Sequence, residues 1–397
     1  MRSTRCTRLH DPIRRDNGCM IAFAACSFLQ RLQRCVVSTN GHLNHRRPSA
    51  GADIEAVARL AGVSTATVSR ALRGLPNVSA DTRARVLTAA RELDYVISPS
   101  ASRLASGQTH SIGVVTPYLG RWFFGQVLSG AEEVLRAAGY DVLLYALPDE
   151  ASRASFFARM PLCRRVDGVL VLTLPMEEAE IEQLGALGVP IGSVGVPGPG
   201  VSCVSIDDAA AARVAVNHLV NLGHERIALI GGGPSEPIHF TVPHDRLAGY
   251  RGAMADAGLP VPDGYETDGA FTFAGGEAAM AGLLSLPNPP TAVFAESDEM
   301  AMGAMRTIRH SGLRCPDYIS IVGFDDHELA EMMDLTTIAQ PVHEQGRIAA
   351  QMLLDRIAGA EATDRQLPTR IVARSSTCPP GGGRITRAGR PRDPALP

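Results

Sequence analysis

The sequence contains no lysine, so all 38 of its basic side chains are arginines. It also lacks a long apolar run: no stretch approaches the ~18 residues that a membrane span requires, which argues against an integral membrane protein. The eight cysteines form no C-x-x-C pair and have no histidine at metal-ligand spacing. Neither a zinc site nor a disulfide framework is therefore predicted, and we expect a reducing, cytoplasmic location.

The 397 residues, 45% hydrophobic and 20% charged, indicate a globular protein of two or three domains. Charge is unevenly distributed along them. Residues 1–48 carry nine arginines against two acids, 53–110 seven against five, and 377–397 four against one, which leaves −15 on residues 111–376. A basic end on an acidic body suits a protein that presents that end to a polyanion.

Residues 1–50 show no sustained periodicity. Their one short apolar run, Met20 to Leu29, follows Arg14 and Arg15 and faintly resembles a secretory signal, but no cleavage site is evident. We therefore expect a disordered arm or a start codon assigned too far upstream. A disordered basic tail is expected at 377–397.

Two short helices separated by a tight turn are predicted at residues 53–72. Asp53 is a candidate N-cap, and apolar residues recur at helical spacing after it. Gly62 then breaks the helix, since glycine readily adopts positive φ, and Ser64 can cap the next segment, Thr65 to Leu72. The pattern is typical of a helix-turn-helix, whose second helix enters the DNA major groove.

A third helix is predicted after Ser79, with Val86, Ala90 and Leu93 on one apolar stripe. Periodicity alone fits a generic three-helix bundle equally well. The residue identities favour DNA binding, since the following segments resemble the headpiece of the lactose/galactose-repressor (LacI/GalR) family: Asp53-Ile-Glu-Ala-Val-Ala-Arg-Leu-Ala-Gly-Val-Ser-Thr-Ala-Thr-Val-Ser-Arg-Ala-Leu, Val78-Ser79 and Leu93-Asp94-Tyr95. The helix-turn-helix domain is thus expected at 51–97.

The resemblance implies which headpiece residues contact DNA. It places Thr65, Ala66 and Arg70 in the major groove, where Arg70 can donate two hydrogen bonds to guanine O6 and N7. It places contacts to phosphates, which position the protein without reading sequence, at Ser64, Thr67, Ser69 and Asn77.

A hinge is expected at 98–110, with a short helix over 98–107 that is too short to be stable alone. In the LacI/GalR family this helix orders on the operator and wedges a leucine into the minor groove; the resemblance implies that role for Leu104 and a DNA contact for Ser98. The alternative is that Leu104 packs a linker. The chain departs from the commoner Tyr-x-Pro-Asn pattern, having Tyr95-Val-Ile-Ser98, so the first hinge contacts stay open.

Residues 111–376 alternate short β-type runs with amphipathic helical stretches, and the alternation recurs after Ser205. This predicts a bilobed α/β fold with two open, mostly parallel sheets. Ligands of such sheets bind beyond the carboxyl ends of the strands, so a cleft between the lobes is the expected site. The resemblance to the LacI/GalR family implies that the chain crosses between the lobes three times, which places lobe 1 at about 111–204 and 339–365 and lobe 2 at about 205–338 and 366–376.

The family resemblance continues in this body, for example in Gly223-His-Glu-Arg-Ile-Ala-Leu-Ile and Ala295-Glu-Ser-Asp-Glu-Met-Ala. It implies a fold like that of periplasmic sugar-binding proteins, with effector hydroxyls bound by Arg246 and Asp325; a structural ion pair is the alternative. Where many relatives carry an acid or arginine, this chain has Gly195, so one contact is missing or replaced. Further implied effector contacts, for whose aromatic members core packing is the alternative, are Thr116, Phe123, Phe124, Asp207, Phe271 and Ser297.

Two other functions, that of an enzyme and that of a solute-binding protein, would each explain part of the sequence. An enzyme could use Gly231-Gly-Gly233 to cradle phosphate, but no G-x-G-x-x-G, G-K-[ST] or nucleophile set accompanies it. A solute-binding protein would share the bilobed body but would need an export signal or lipobox in place of residues 53–107.

We therefore predict a small all-α helix-turn-helix headpiece joined to an α/β bilobed domain like that of periplasmic binding proteins. The predicted function is a transcriptional regulator, expected to be a repressor, that acts as a homodimer or tetramer in the cytoplasm, associated with the nucleoid. Its predicted partners are a pseudo-palindromic double-stranded DNA operator and a sugar-like effector, with no cofactor, metal or membrane. Whether the effector is an inducer or a corepressor stays open.

Overall fold

The computed structural model describes residues 53–72, 74–95, 108–232 and 241–381. They belong to two compact units, which divide between residues 99 and 100. The predictions made for the extension at 1–50, for the hinge residues Ser98 and Leu104, and for the chain beyond residue 381 lie outside the described residues. Within the described ranges, no helix is both long and apolar enough to cross a membrane.

Within its described residues, the first unit contains three helices. The side chain of Asp53 caps α1 by accepting a 2.7 Å hydrogen bond from the backbone N–H of Ala56, and Gly62 ends the helix at φ 66°. Val57, Val68 and Val86, one from each helix, are fully buried. The apolar stripes predicted from the sequence thus meet in one small core, formed by α1 (Ile54–Ala61), α2 (Thr65–Leu72) and α3 (Ala80–Glu92).

Lobe 1 is built on a six-stranded sheet with the order β11-β5-β4-β3-β1-β2, in which every recorded pairing is parallel. Its strands are β1 (Ser111–Thr116), β2 (Asp141–Ala146), β3 (Gly168–Leu172), β4 (Ile191–Val194), β5 (Val201–Ser205) and β11 (Asp364–Gln366). Its helices are α4 (Trp122–Ala137), α5 (Glu150–Arg159), α6 (Glu178–Gly185) and α12 (Val342–Ile357).

Lobe 2 is built on a second six-stranded sheet, with the order β12-β10-β9-β8-β6-β7. Within the described chain, β12 pairs with β10 in the antiparallel direction, and the other strand pairings of this sheet are parallel. Its strands are β6 (Ile227–Gly231), β7 (Glu266–Asp268), β8 (Ala292–Ala295), β9 (Ser320–Asp325), β10 (Thr336–Ala339) and β12 (Arg370–Val372). Its helices are α7 (Asp208–Asn221), α8 (Thr241–Asp256), α9 (Phe273–Leu284), α10 (Asp298–His310) and α11 (Glu328–Met332).

The chain passes between the lobes three times, after β5, after β10 and between β11 and β12. The predicted fold class, a helical headpiece with a bilobed body of two mostly parallel sheets, is confirmed. Residues 377–381, assigned to the tail from the sequence, are partly held against lobe 2. There Thr377 lies 3.0 Å from His218 Nε2, and the carbonyl of Cys378 lies 2.8 Å from His224 Nε2.

Paired glycines bring α4 and α12 of lobe 1 into close contact. A Cβ atom at Gly130 would lie 2.0 Å from the backbone oxygen of His343, and one at Gly346 would lie 2.0 Å from that of Val127. Larger side chains would therefore force the two helix backbones apart. This contact holds α4 in place, and the first turn of α4 reaches the cleft between the lobes.

Candidate functional sites

Helix α2 presents a polar outer face. Thr65, Ala66 and Arg70 are exposed, whereas Val68 and Ala71 are buried against α1 and α3. The three residues predicted to read bases are therefore all on the free side of the helix, Thr65 and Ala66 in its first turn and Arg70 in its last. That is the arrangement with which a recognition helix enters the major groove.

The residues predicted to contact phosphates surround this face. Ser64 Oγ accepts a 3.2 Å hydrogen bond from the backbone N–H of Thr67 and lies 2.9 Å from Thr67 Oγ1, so it caps α2. Asn77 is exposed in a left-handed conformation, φ 70°, and Ser69 is half-buried. The side chain of Arg83 donates a 2.7 Å hydrogen bond to the carbonyl of Leu75, which ties the loop carrying Asn77 to α3.

A cleft of about 550 Å³, including the part open to solvent, lies between the two lobes of the second unit. It lies beyond the carboxyl ends of β3 and β9, as expected for open parallel sheets. Six of the eight predicted effector residues line it: Phe123, Phe124, Arg246, Phe271, Ser297 and Asp325. Five further lining residues were not predicted from the sequence: Arg121, Thr173, Val242, Pro243 and Glu299.

Arg246 lies buried on the lobe 2 side, and its guanidinium is firmly positioned. Its Nε donates a 2.8 Å hydrogen bond to Asp208, Nη1 donates to the carbonyl of Glu296, and the group stacks 3.6 Å from the centre of the Phe324 ring. Arg246 thus takes part in a structural ion pair, and its partner is Asp208, not Asp325. Because Arg246 also lines the cleft, its remaining N–H groups can meet a ligand.

Asp325 is the last residue of β9 and is buried, with a backbone φ of 115°. It accepts a 2.6 Å hydrogen bond from Gln340 Nε2, and Gln340 in turn accepts one of 2.8 Å from Gln345. Burial raises the pKa of Asp325 to about 7, although the positive charge of Arg246 opposes that rise. Since Gln340 lies where the chain crosses from β10 to α12, the carboxyl group that faces the cleft is hydrogen-bonded to an interlobe crossing.

Phe271 forms part of the lobe 2 wall. It and Ala270 both have left-handed backbones, φ 49° and 48°, and a Cβ atom at Gly232 would lie 2.0 Å from the Phe271 ring. The Phe271 ring therefore packs directly against the backbone of Gly232, and a side chain at position 232 would displace the ring. Such conformations persist only when the surroundings enforce them, and they concentrate at ligand sites.

Glu299, in the first turn of α10, bridges the lobes. Burial raises the pKa of its carboxyl group, and the nearby positive charge of Arg121 and the backbone N–H of Trp122 oppose that rise. The side chain of Arg121, at the N-cap position of α4, makes no capping hydrogen bond. The Glu299 carboxyl group of lobe 2 therefore lies near the partially positive N-terminal end of a lobe 1 helix. No local sequence signal pairs residues this far apart.

Two predicted effector residues lie outside the cleft lining. The hydroxyl of Thr116 is buried and donates to the carbonyl of Tyr118 over 3.1 Å. Asp207 is exposed and caps α7 by accepting a 2.9 Å hydrogen bond from the N–H of Ala210. Its neighbour Asp208 instead points toward Arg246, because consecutive residues entering a helix face different directions. No cluster of metal-binding side chains occurs within the part of the chain that the structure describes.

Both parts of the chain match known families. Residues 53–98 match the model described as bacterial regulatory proteins, lacI family, and residues 216–377 match the periplasmic binding protein-like domain. The HTH-type transcriptional repressor CytR of Escherichia coli (strain K12) is 37% identical over 338 residues, which cover 84% of this chain and 98% of the relative.

Two solved structures are also similar. The lac repressor dimer bound to operator and the anti-inducer ONPF has a TM-score of 0.72 at 29% identity, with 82% of this chain and 99% of that chain covered. The transcriptional regulator CelR in complex with cellobiose has a TM-score of 0.61 at 33% identity, with the same coverage of both chains.

Proposed function

Because the chain belongs to the LacI family of bacterial regulatory proteins, we propose that it represses transcription from a pseudo-palindromic operator in the cytoplasm, as a homodimer controlled by a sugar-like effector. The observation that carries the proposal is that Arg246 and Asp325 line the same interlobe cleft. A guanidinium beside a carboxyl group can bind two neighbouring hydroxyls, the group that sugars share.

On the DNA side, Arg70 is the proposed base reader, with Thr65 and Ala66 contributing methyl and hydroxyl contacts. Ser64, Thr67, Ser69 and Asn77 are proposed to hold phosphates and so to set the register of the helix in the groove. A dimer presents two such helices, which matches a site with two half-sites about one helical turn apart.

On the effector side, Phe123, Phe124, Phe271 and Ser297 complete the proposed site. An effector alters operator affinity only if it binds one arrangement of the lobes more tightly than another. Glu299 of lobe 2 supplies a contact that distinguishes such arrangements, since its carboxyl group faces the N-terminus of α4 in lobe 1. Whether the effector strengthens or weakens operator binding depends on which arrangement of the lobes it favours.

Selection of operators from a random DNA library, followed by gel-shift titration of the best sequence, tests this function. We expect a two-fold symmetric consensus and a change in apparent Kd on addition of at least one sugar. A selection that yields no consensus, or an asymmetric one bound by a single headpiece, would contradict the proposal.

A further inference from the structure

One carboxylate binds the chain at the point where it enters lobe 1. Asp167 Oδ1 accepts hydrogen bonds from the backbone N–H of Thr109 at 2.7 Å and from Thr109 Oγ1 at 3.0 Å. Asp167 Oδ2 accepts a third bond, of 2.8 Å, from the backbone N–H of His110. Bonds to an ionised acceptor are about twice as strong as those between neutral groups, so residues 109 and 110 are firmly held. We name Asp167, Thr109 and His110 the clasp.

The clasp is joined to the lobe 1 sheet on two sides. Asp167 donates its own N–H to the carbonyl of Ser111 over 2.8 Å, and the N–H of Asp141 in β2 donates to the carbonyl of His110 over 2.9 Å. His110 has a left-handed backbone, φ 49°, which a residue with a side chain adopts only where the surroundings enforce it. The clasp therefore imposes one direction on the chain immediately before β1.

The clasp and the effector cleft lie at opposite ends of the same two strands. β1 follows His110 directly and β3 follows Asp167 directly; both strands are fully buried, and they pair in parallel. At about 3.3 Å per residue they extend roughly 17–20 Å toward the cleft, where Thr173 follows β3 and belongs to the lining. Because a close-packed interior deforms little, the clasp moves with the lobe 1 wall of the cleft.

The size of its effect separates a role in direction from a role in length. Twelve residues, 96–107, join the described parts of the two units. Lengthening a random-coil connection from twelve residues to fifteen, by releasing 108–110, would lower the effective concentration of a headpiece at its half-site only about 1.4-fold. Loss of a fixed direction instead lowers operator affinity by the fraction of time for which the direction is correct.

We propose that Asp167 is a positioning residue for operator binding. By holding Thr109 and His110 it fixes the direction in which the chain leaves lobe 1 for the headpiece, so that the placement of lobe 1 reaches the DNA-binding unit. The inference rests on the proposed function, because it adds a residue outside the headpiece and the cleft to those that determine operator affinity.

Asp167→Asn tests the proposal, because it keeps the shape of the side chain but replaces one oxygen with a group that cannot accept from His110. In the full chain, amide hydrogen exchange at residues 108–111 should become at least about tenfold faster, as expected for one lost bond to a charged group. Operator affinity in gel-shift titration should fall at least about tenfold too, since a dimer must place both headpieces. Binding to a scrambled duplex of the same length should change less than about twofold, because it depends on phosphate charge.

Asp364→Asn is the matched control in the same sheet. Asp364 begins β11, and its Oδ1 accepts a 3.2 Å hydrogen bond from the backbone N–H of Cys203. The substitution thus removes the same charge from a strand end far along the chain from residues 108–110, and operator affinity should stay unchanged. Thr109→Val is a second, milder variant: it removes the Oγ1 bond to Asp167 but keeps both backbone bonds, so it should give smaller losses of exchange protection and operator affinity.

An operator affinity that falls by no more than about twofold in Asp167→Asn overturns the proposal, because the clasp would then only shorten the connection. An equal loss in Asp364→Asn, or on the scrambled duplex, also overturns it. So does unchanged exchange at residues 108–111, which would show that the carboxylate does not hold the chain. Failure to select any operator defeats the regulator function itself, and with it any role of the clasp in operator binding.

Discussion

Trp122 and His327 stack across the two lobes, with ring centroids 4.7 Å apart and ring planes inclined by 32°. Trp122 begins α4 in lobe 1, and His327 is the N-cap of α11 in lobe 2, where its Nδ1 accepts a 3.0 Å hydrogen bond from Leu329. The backbone N–H of the same tryptophan faces the carboxyl group of Glu299. One residue of α4 therefore faces two side chains of the opposite lobe.

Trp122→Ala should weaken the contact between the two lobes. Loss of the stacked ring removes about 0.5–1.5 kcal/mol beyond area burial, so we expect weaker effector binding and a larger radius of gyration by small-angle X-ray scattering. Trp122→Phe should retain both properties, because it keeps a ring and removes an Nε1 that is buried without a partner in the described chain. Tyr140→Ala is the control, since the His110–Tyr140 pair, 5.6 Å apart, lies within lobe 1. Equal effects of the two alanine substitutions would contradict an interlobe role.

Arg246→Ala should abolish most stabilisation by effector. A hydrogen bond to a charged group contributes about 1.5–3 kcal/mol, so a sugar that raises the Tm of the wild type should have little effect on the variant. Arg251→Ala, on the same helix but in an exposed pair with Glu266 at 2.6 Å, should retain the response. Thermal-shift titration of both variants decides this, and stabilisation that survives Arg246→Ala would show that the site is assigned to the wrong residue.

Arg70→Ala should relax operator preference. A bidentate contact to guanine discriminates by about 1–3 kcal/mol, and its loss should reduce the preference at one base pair of each half-site while nonspecific binding persists. Arg91→Ala, on α3 with its Nε bonded to the carbonyl of Leu87 at 3.2 Å, is the control. Gel-shift titrations on the selected operator and on single-base variants measure the effect. An unchanged base preference in Arg70→Ala would rule out base reading by this residue.

Gly130→Ala should destabilise lobe 1 by about 1–3 kcal/mol, because overpacking forces backbone shifts and the new Cβ would lie 2.0 Å from the oxygen of His343. Gly125 in the same helix has no atom within 4 Å of such a Cβ. Gly125→Ala should therefore stabilise the protein by about 0.5–1 kcal/mol through helix propensity. Chemical denaturation of both variants provides the test, and a loss of stability in both would point to a general effect of alanine in α4.

Buried carboxyl groups should make the protein less stable as pH rises. Burial raises the pKa of Glu296 to about 8 and that of Asp325 to about 7, so the folded state retains protons that the unfolded state has lost. Their stabilising contribution is complete below pH ~4 and is lost as pH rises through the folded-state values. Glu296→Gln, which keeps an oxygen for the N–H of Gly232, should flatten the decline in Tm between about pH 5 and 9. An unchanged slope would contradict a neutral Glu296.

The headpiece could be predicted almost entirely from the sequence, because its determinants are local. Asp53 caps a helix three residues away, Gly62 adopts the positive φ that its position in the turn demands, and one apolar stripe per helix defines the core. The alternation of strands and helices likewise predicted two parallel sheets. Resemblance to a family then identified Arg246 and Asp325 as candidates, and both line the cleft.

Only the tertiary structure decided how the cleft is completed. Asp207 and Asp208 are adjacent residues of the same type. The direction in which the chain enters α7 turns Asp207 toward solvent and Asp208 toward Arg246. Thr173 and Gly195 each follow a different strand, and they are neighbours only because β3 and β4 end side by side.

The contacts of Trp122 with His327 and Glu299 join residues about two hundred positions apart through the arrangement of two lobes. Local patterns of capping and hydrophobicity determine which elements form and which face each buries. The meeting of side chains from the ends of separate strands depends on sheet order and lobe closure, and no local pattern encodes those.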